Sequence, residues 1–164
     1  MSKKKTLQDL LEHELRDLYS AETQILDVLP IMLKKATDSG LKTTIEAHFK
    51  DTKEQRRRLE EACMVLDITP KGHICSAIAE IVKELSDFIT VGAEADVVDA
   101  KLIAQAQRMA HYEIAGYGAI LHYARCADAD EVADLVMESL EQEKDAAEKL
   151  TKLAEEKINE HALA

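Results

Sequence analysis

The sequence predicts an all-α protein. Three observations lead there. The 164 residues include only five Gly and two Pro, Ala, Leu, Glu and Lys are abundant, and apolar residues recur in steps of three and four over long stretches. The length points to one domain, and a chain of this size can bury a substantial core.

Taken in order, residues 1–5 read as a frayed tail, and Thr6 as a helix cap with Asp9 in the first turn. The first long helix follows Leu7, Leu11, Leu15, Leu18, Ile25, Leu26, Leu29 and Leu33, with Glu22 inside the apolar series. Pro30 is expected to kink this helix without ending it, and Asp38, Ser39 and Gly40 to form the turn. The second helix is expected over about 41–67, with Leu41, Ile45, His48, Phe49, Thr52, Leu59, Cys63 and Leu66 on one face. Asp51 flanks that face one turn beyond His48. Arg56, Arg57, Arg58, Glu60 and Glu61 read as a solvated face or as ion-pair partners.

Pro70 and Gly72 interrupt the pattern, and a shorter helix follows over about 74–91, ended by Gly92. Roughly 18 helical residues span about 27 Å, enough to cross a bundle from end to end. Such a crossover separates ferritin-like bundles from simple up-down ones; a fifth helix capping one end is the alternative. The third long helix, over about 96–126, carries Ala106, Met109, Ala110, Glu113, Tyr117, Ile120 and Ala124 on its apolar face. The fourth, over about 130–159, carries Val132, Val136, Leu140, Glu143, Ala147, Leu150, Leu153 and Ala154. Residues 6–160 therefore read as a single helical domain.

A net charge of -11 argues against nucleic acid or an anionic membrane as partner. No stretch approaches the ~20 apolar residues of a membrane helix, and MSKKKTLQDL lacks the apolar run of a signal peptide. Cys63, Cys75 and Cys126 are scattered, without a CxxC or zinc spacing. Buried free thiols in a reducing compartment, the cytoplasm, are expected. No spacing suggests nucleophilic catalysis, and no Gly-rich phosphate loop is present.

Each long helix places an ionisable group in or beside its buried stripe: Glu22, His48 with Asp51, Glu113, and Glu143. A buried carboxylate is costly unless it is paired, protonated or bound to a metal. Glu113 lies about as far before the turn near Ala127 as Glu143 lies after it, so a tight antiparallel pair sets the two level. In the first hairpin the match to Glu22 is rougher, and residue counting favours Asp51 over His48 as a ligand. Converging carboxylates repel one another unless cations neutralise them or they share protons. Oxygen-rich ligation with some nitrogen suits iron or manganese better than copper or zinc. The Glu-x-x-His spacing of di-iron bundles is absent, because Gly116 follows Glu113 and Ala146 follows Glu143 at the third position. A core Glu hydrogen-bonded to a Tyr or His is the structural alternative.

The stretches LRDLYSAETQIL, EAHFKDTKEQ, HYEIAGYGAI and ESLEQEK, in this order and at matching spacing, resemble the YciE/YciF family of ferritin-like bacterial proteins. The similarity covers nearly the whole chain. It implies a ferritin-like four-helix bundle with a crossover helix between helices two and three. It also implies a candidate di-metal centre, iron as cofactor with manganese as an alternative, a homodimer, and a role in the stress-linked bacterial cytoplasm. Carried over position by position, it marks Glu22, His48, Asp51, His111, Glu113 and Glu143 as metal ligands, with Asp17 a weaker addition. It differs from the family pattern where relatives usually have Glu in place of Asp51, and often carboxylates in place of Ala110, Gln142 and Ala147. Two functions are expected from this: a ferritin-like metal protein that oxidises iron with oxygen or peroxide, or a dimeric structural module that has lost its metal.

Overall fold

Local capping sets where the helices begin. A computed structural model describes residues 6–163, and the tail expected at 1–5 lies outside them. Thr6 and Asp9 form a reciprocal capping box at the start of α1, Leu7–Lys35. The helix runs on through Pro30, as the apolar pattern requires, and Leu11, Leu15, Leu18, Ile25 and Leu29 are buried along one face.

The next helix, α2, spans Ser39–Val65. Its start corrects the expected turn at Asp38–Gly40: Asp38 is the cap, accepting from Leu41 N, so Ser39 and Gly40 already belong to the helix. The buried Asp99 carboxylate closes this connection early. It accepts from Thr37 N, the Thr37 hydroxyl and Asp38 N at 2.8, 2.6 and 2.8 Å.

After α2 the chain reverses at Asp67, in the left-handed region at φ 53°. Residues 66–75 lie against α1: Arg16 Nε donates to Thr69 O at 3.0 Å, and Cys75 N donates to Ser20 Oγ at 2.9 Å. The third helix, α3, runs over Ser76–Val91. Ile74, expected on its apolar face, precedes it and is 73% exposed. Then come α4, Ala95–Cys126, and α5, Asp130–Leu153.

The expected single run to about 159 is broken by a π-helical turn, Ala154–Ile158, before the short α6, Asn159–His161. Two α-helical turns beyond Leu150 would place Lys157 on the buried face. The wider turn shifts the register by one residue, so Ile158 is buried and Lys157 reaches Asp38 Oδ2 at 2.5 Å.

Each of the four long helices packs against two others: α1 and α5 each touch both α2 and α4. Helices α2 and α4 therefore face each other across the core, as do α1 and α5. The side-chain bonds show that neighbours are antiparallel. Thr37 meets Asp99 and Leu18 meets Gly116 between α1 and α4, while Gln55 meets Glu143 and Arg58 meets Ser139 between α2 and α5. Helix α3 packs on the outside, against α1 and α4. No helix of the described residues is long and apolar enough to cross a membrane. Cys63 and Cys75 are buried free thiols; Cys126, expected buried, is free but exposed at the end of α4.

Candidate metal centre

Glycine sets the distance between α1 and α4. A Cβ on Gly116 would stand 2.7 Å from Leu18 Cδ2, so any larger residue there would force the buried Leu18 to shift. This is the position at which a Glu-x-x-His motif would carry its histidine, and the close approach leaves no room for one. It also brings Tyr117, one residue on, against the partner helix. The Tyr117 hydroxyl donates to Glu22 Oε1 at 2.5 Å inside the core.

Four ionisable side chains, one from each long helix, meet at this depth. Glu22, Glu113 and Glu143 are fully buried and His48 is 4% exposed. His48 Nε2 lies 3.4 Å from Glu143 Oε2 and 3.9 Å from Glu113 Oε2. These three residues offer ligand atoms within 4.8 Å of one another. Gln55, two turns beyond His48, donates from Nε2 to Glu143 Oε1 at 2.7 Å. Among the described residues, both oxygens of Glu113, Glu22 Oε2, Glu143 Oε2 and His48 Nε2 have no hydrogen-bond partner. Burial without partners is expensive, and it is relieved by a shared proton or by a cation.

The electrostatics follow from that crowding. Burial, then the Glu143 charge, raise the Glu22 carboxyl to about 8, against the opposing pull of the Tyr117 bond. Burial and the charges of Glu143 and Glu22 push Glu113 well above the usual carboxylate range. Burial alone would lower His48, but the nearby Glu143 carboxylate, joined by the Glu22 and Asp51 charges, outweighs it and raises the imidazole. Burial and Glu22 hold the Tyr117 phenol well above its ordinary value, so it stays a donor.

The structure brings together Glu22, His48, Glu113 and Glu143. It does not bring in the other two expected ligands. Asp51 is half-buried at the α2–α5 boundary, and it is His48, not the Asp51 that residue counting favoured, that approaches the buried carboxylates. His111 is exposed, with Nδ1 2.9 Å from Gln107 O of its own helix. Asp17 belongs to a separate network, accepting from the Tyr112 hydroxyl and paired with His73 Nε2 at 2.8 Å. His73 is therefore tied into the fold by this contact.

Sequence reasoning missed Gln55 and the bonding of Tyr117. Both were findable: Gln55 is seven residues past His48 and Tyr117 four past Glu113, each on the same helical face. It also grouped Arg58 with a charge run. Arg57 does lie at the surface with Glu54 and Glu61, but Arg58 is buried, bonded to Gln142 Oε1 at 2.9 Å and paired with Glu138. Ala110 and Ala147, the positions at which this chain departs from the carboxylates implied by the resemblance, are buried.

These features define an all-helical protein with a carboxylate–imidazole cluster enclosed among four antiparallel helices, and the chain belongs to the YciE/YciF family. Residues 6–163 match the family described as a domain of unknown function, DUF892. Protein YciF of Escherichia coli (strain K12) is 33% identical over 159 residues, covering 96% of each chain. The crystal structure of that E. coli stress protein superimposes with a TM-score of 0.90 over 95% of this chain and 99% of YciF. YcfI, a candidate structural protein from Rhodopseudomonas palustris, is 36% identical, with a TM-score of 0.88 over 92% of this chain and 97% of its own.

Proposed function

We propose that this protein is a ferritin-like metal-binding protein whose centre lies between α1, α2, α4 and α5. The observation that carries the reading is the set of five ligand-type atoms, buried and without hydrogen-bond partners, contributed by all four long helices. The ferritin-like reading of the fold rests on topology. Helices α2 and α4 run in the same direction, because each is antiparallel to α1, so the connection between them must return along the bundle. The 16 residues of α3 span about 24 Å at helical rise and lie on the outside where such a crossover belongs.

The donor set fits a hard or borderline cation. Three carboxylates and one imidazole suit iron or manganese. His48, Glu113 and Glu143 would hold it, with Glu22 as a fourth ligand held in place by Tyr117. With alanines at 110 and 147, the residues present support one ion better than two. Ferrous iron in such a site supplies an electron to dioxygen or peroxide, which is the basis for an oxidase reading. The protein's own contribution is to orient the carboxylates through Tyr117 and Gln55 and to keep water out of the centre.

Metal content of protein purified without chelator, followed by iron titration in air, tests this. About one tightly held ion per chain is expected, with a thermal midpoint that rises on loading. Metal that washes away, together with an unchanged midpoint, supports the second reading: a metal-free, homodimeric structural module of the stress response. That reading draws on Ala110, Ala147 and the description of the R. palustris relative.

A further inference from the structure

The cluster is sealed, so a cation must have a way in. Of its four members, three have no exposed surface, and His48 alone retains some, 4%. That remnant lies in a water-sized indentation of about 30 Å³ between α2 and α5. The same imidazole thus forms part of the hollow's wall and, through Nε2, faces Glu113 and Glu143 without a hydrogen-bond partner. Ala47 and Ala146 line opposite sides of the hollow, and their small side chains leave it open. Asp51, one turn beyond His48, lines it from α2 and is half-buried. At the rim Lys149 Nζ pairs with Asp145 Oδ2 at 2.5 Å, both side chains being largely exposed.

We infer that this indentation is the route by which a divalent cation reaches the buried cluster, with Asp51 the carboxylate that draws the ion from solvent, His48 the ligand that receives it, and Lys149, held by Asp145, a cationic guard at the mouth. The inference rests on the metal-centre reading and gives a role to Asp51, which lies outside the group of converging ligand atoms. The charges support it. Among the solvent-facing groups of the rim Asp51 and Asp145 outnumber Lys149, leaving it net negative, and an acidic mouth over low-dielectric walls concentrates cations. Neutralising Lys149 deepens that attraction; neutralising Asp51 removes it where the ion leaves bulk water.

The test follows cobalt(II) uptake by the metal-free full-length protein in stopped-flow absorbance, with the final spectrum and stoichiometry read separately. Asp51→Asn is expected to slow uptake by about fivefold or more at low salt, and Lys149→Ala to speed it about twofold, both differences shrinking as salt rises. Ala47→Trp, a steric plug at an exposed position, is expected to slow uptake without a change in charge. All three variants should reach the wild-type endpoint spectrum and stoichiometry, and a circular-dichroism melt establishes that each is folded. Should Ala47→Trp fail to fold, the two charge variants carry the test. Wild-type uptake rates in Asp51→Asn and Lys149→Ala overturn the route while leaving the metal centre standing. An altered endpoint spectrum in Asp51→Asn overturns it differently, by making Asp51 a ligand. Wild-type protein that takes up no cobalt overturns both the centre and its route.

Discussion

The Tyr117 hydroxyl donates to Glu22 Oε1 at 2.5 Å, joining α4 to α1 through two fully buried side chains. Removing it strands an acceptor in the core. Tyr117→Phe is expected to lower stability by about 1–3 kcal/mol in urea unfolding of the metal-free protein. Because this bond pulls the Glu22 carboxyl down, the same variant should carry Glu22 protonated to still higher pH. An unchanged unfolding midpoint would show that the bond contributes nothing net.

The cluster also fixes how the metal-free protein responds to pH. Glu22 titrates from an ordinary value of 4.5 to about 8 in the fold, so between these limits the folded state binds more protons than the unfolded one. Stability therefore falls as pH rises through this window and levels above it. Glu113 and His48, both raised, act with the same sign. Thermal melts across pH 5–9 should show a declining midpoint without metal. They should also show a metal-induced rise that grows with pH, because binding releases protons.

Neutralising one carboxylate separates folding from binding. Glu113→Gln keeps the shape of the side chain and removes an ionisable group whose charged form is opposed by burial and by the Glu143 and Glu22 charges. The metal-free protein is expected to gain about 1 kcal/mol, and the metal-dependent midpoint shift to disappear. A variant that keeps the full metal shift would place the ion elsewhere.

Two glycines on α4 predict opposite outcomes. A Cβ at Gly116 meets Leu18 at 2.7 Å, whereas one at Gly118 meets nothing within 4 Å. Gly116→Ala should cost about 1–3 kcal/mol through overpacking. Gly118→Ala should gain about 0.5–1 kcal/mol from reduced backbone freedom in the unfolded chain. Equilibrium unfolding of both variants under one condition gives the comparison.

At the end of the bundle that holds the α1–α2 connection, Asp99 is the anchor. Its carboxylate accepts three hydrogen bonds from Thr37 and Asp38, and it is 1% exposed. Asp99→Ala is expected to destabilise by about 2–4 kcal/mol, through the loss of three hydrogen bonds to a buried carboxylate. Loss of hydrogen-exchange protection should concentrate at the amides of Thr37 and Asp38. Uniform loss across all helices would instead mark a global effect.

The helices could be read from the sequence because their causes are local. Apolar spacing marks the faces of α1, α2, α4 and α5, and Thr6 with Asp9 announces the first cap. Glu22, Glu113 and Glu143 were visible as charges interrupting apolar series, where burial follows from periodicity alone. What the sequence did not decide was which groups meet. His48 and Asp51 lie on one helix three residues apart, and only the rotation of α2 against α4 and α5 turns the imidazole inward and leaves the carboxylate at the boundary. The early cap at Asp38 depends on Asp99, sixty-one residues away, and the π turn depends on what Ile158 and Lys157 find across the interface. The closeness of α1 and α4 required glycine at 116, but its meaning appears only with Leu18 beside it. Periodicity is a property of a single helix, whereas a ligand set is a property of several helices in register. The sequence by itself therefore determined the elements and their buried faces, and tertiary packing decided the chemistry that those faces enclose.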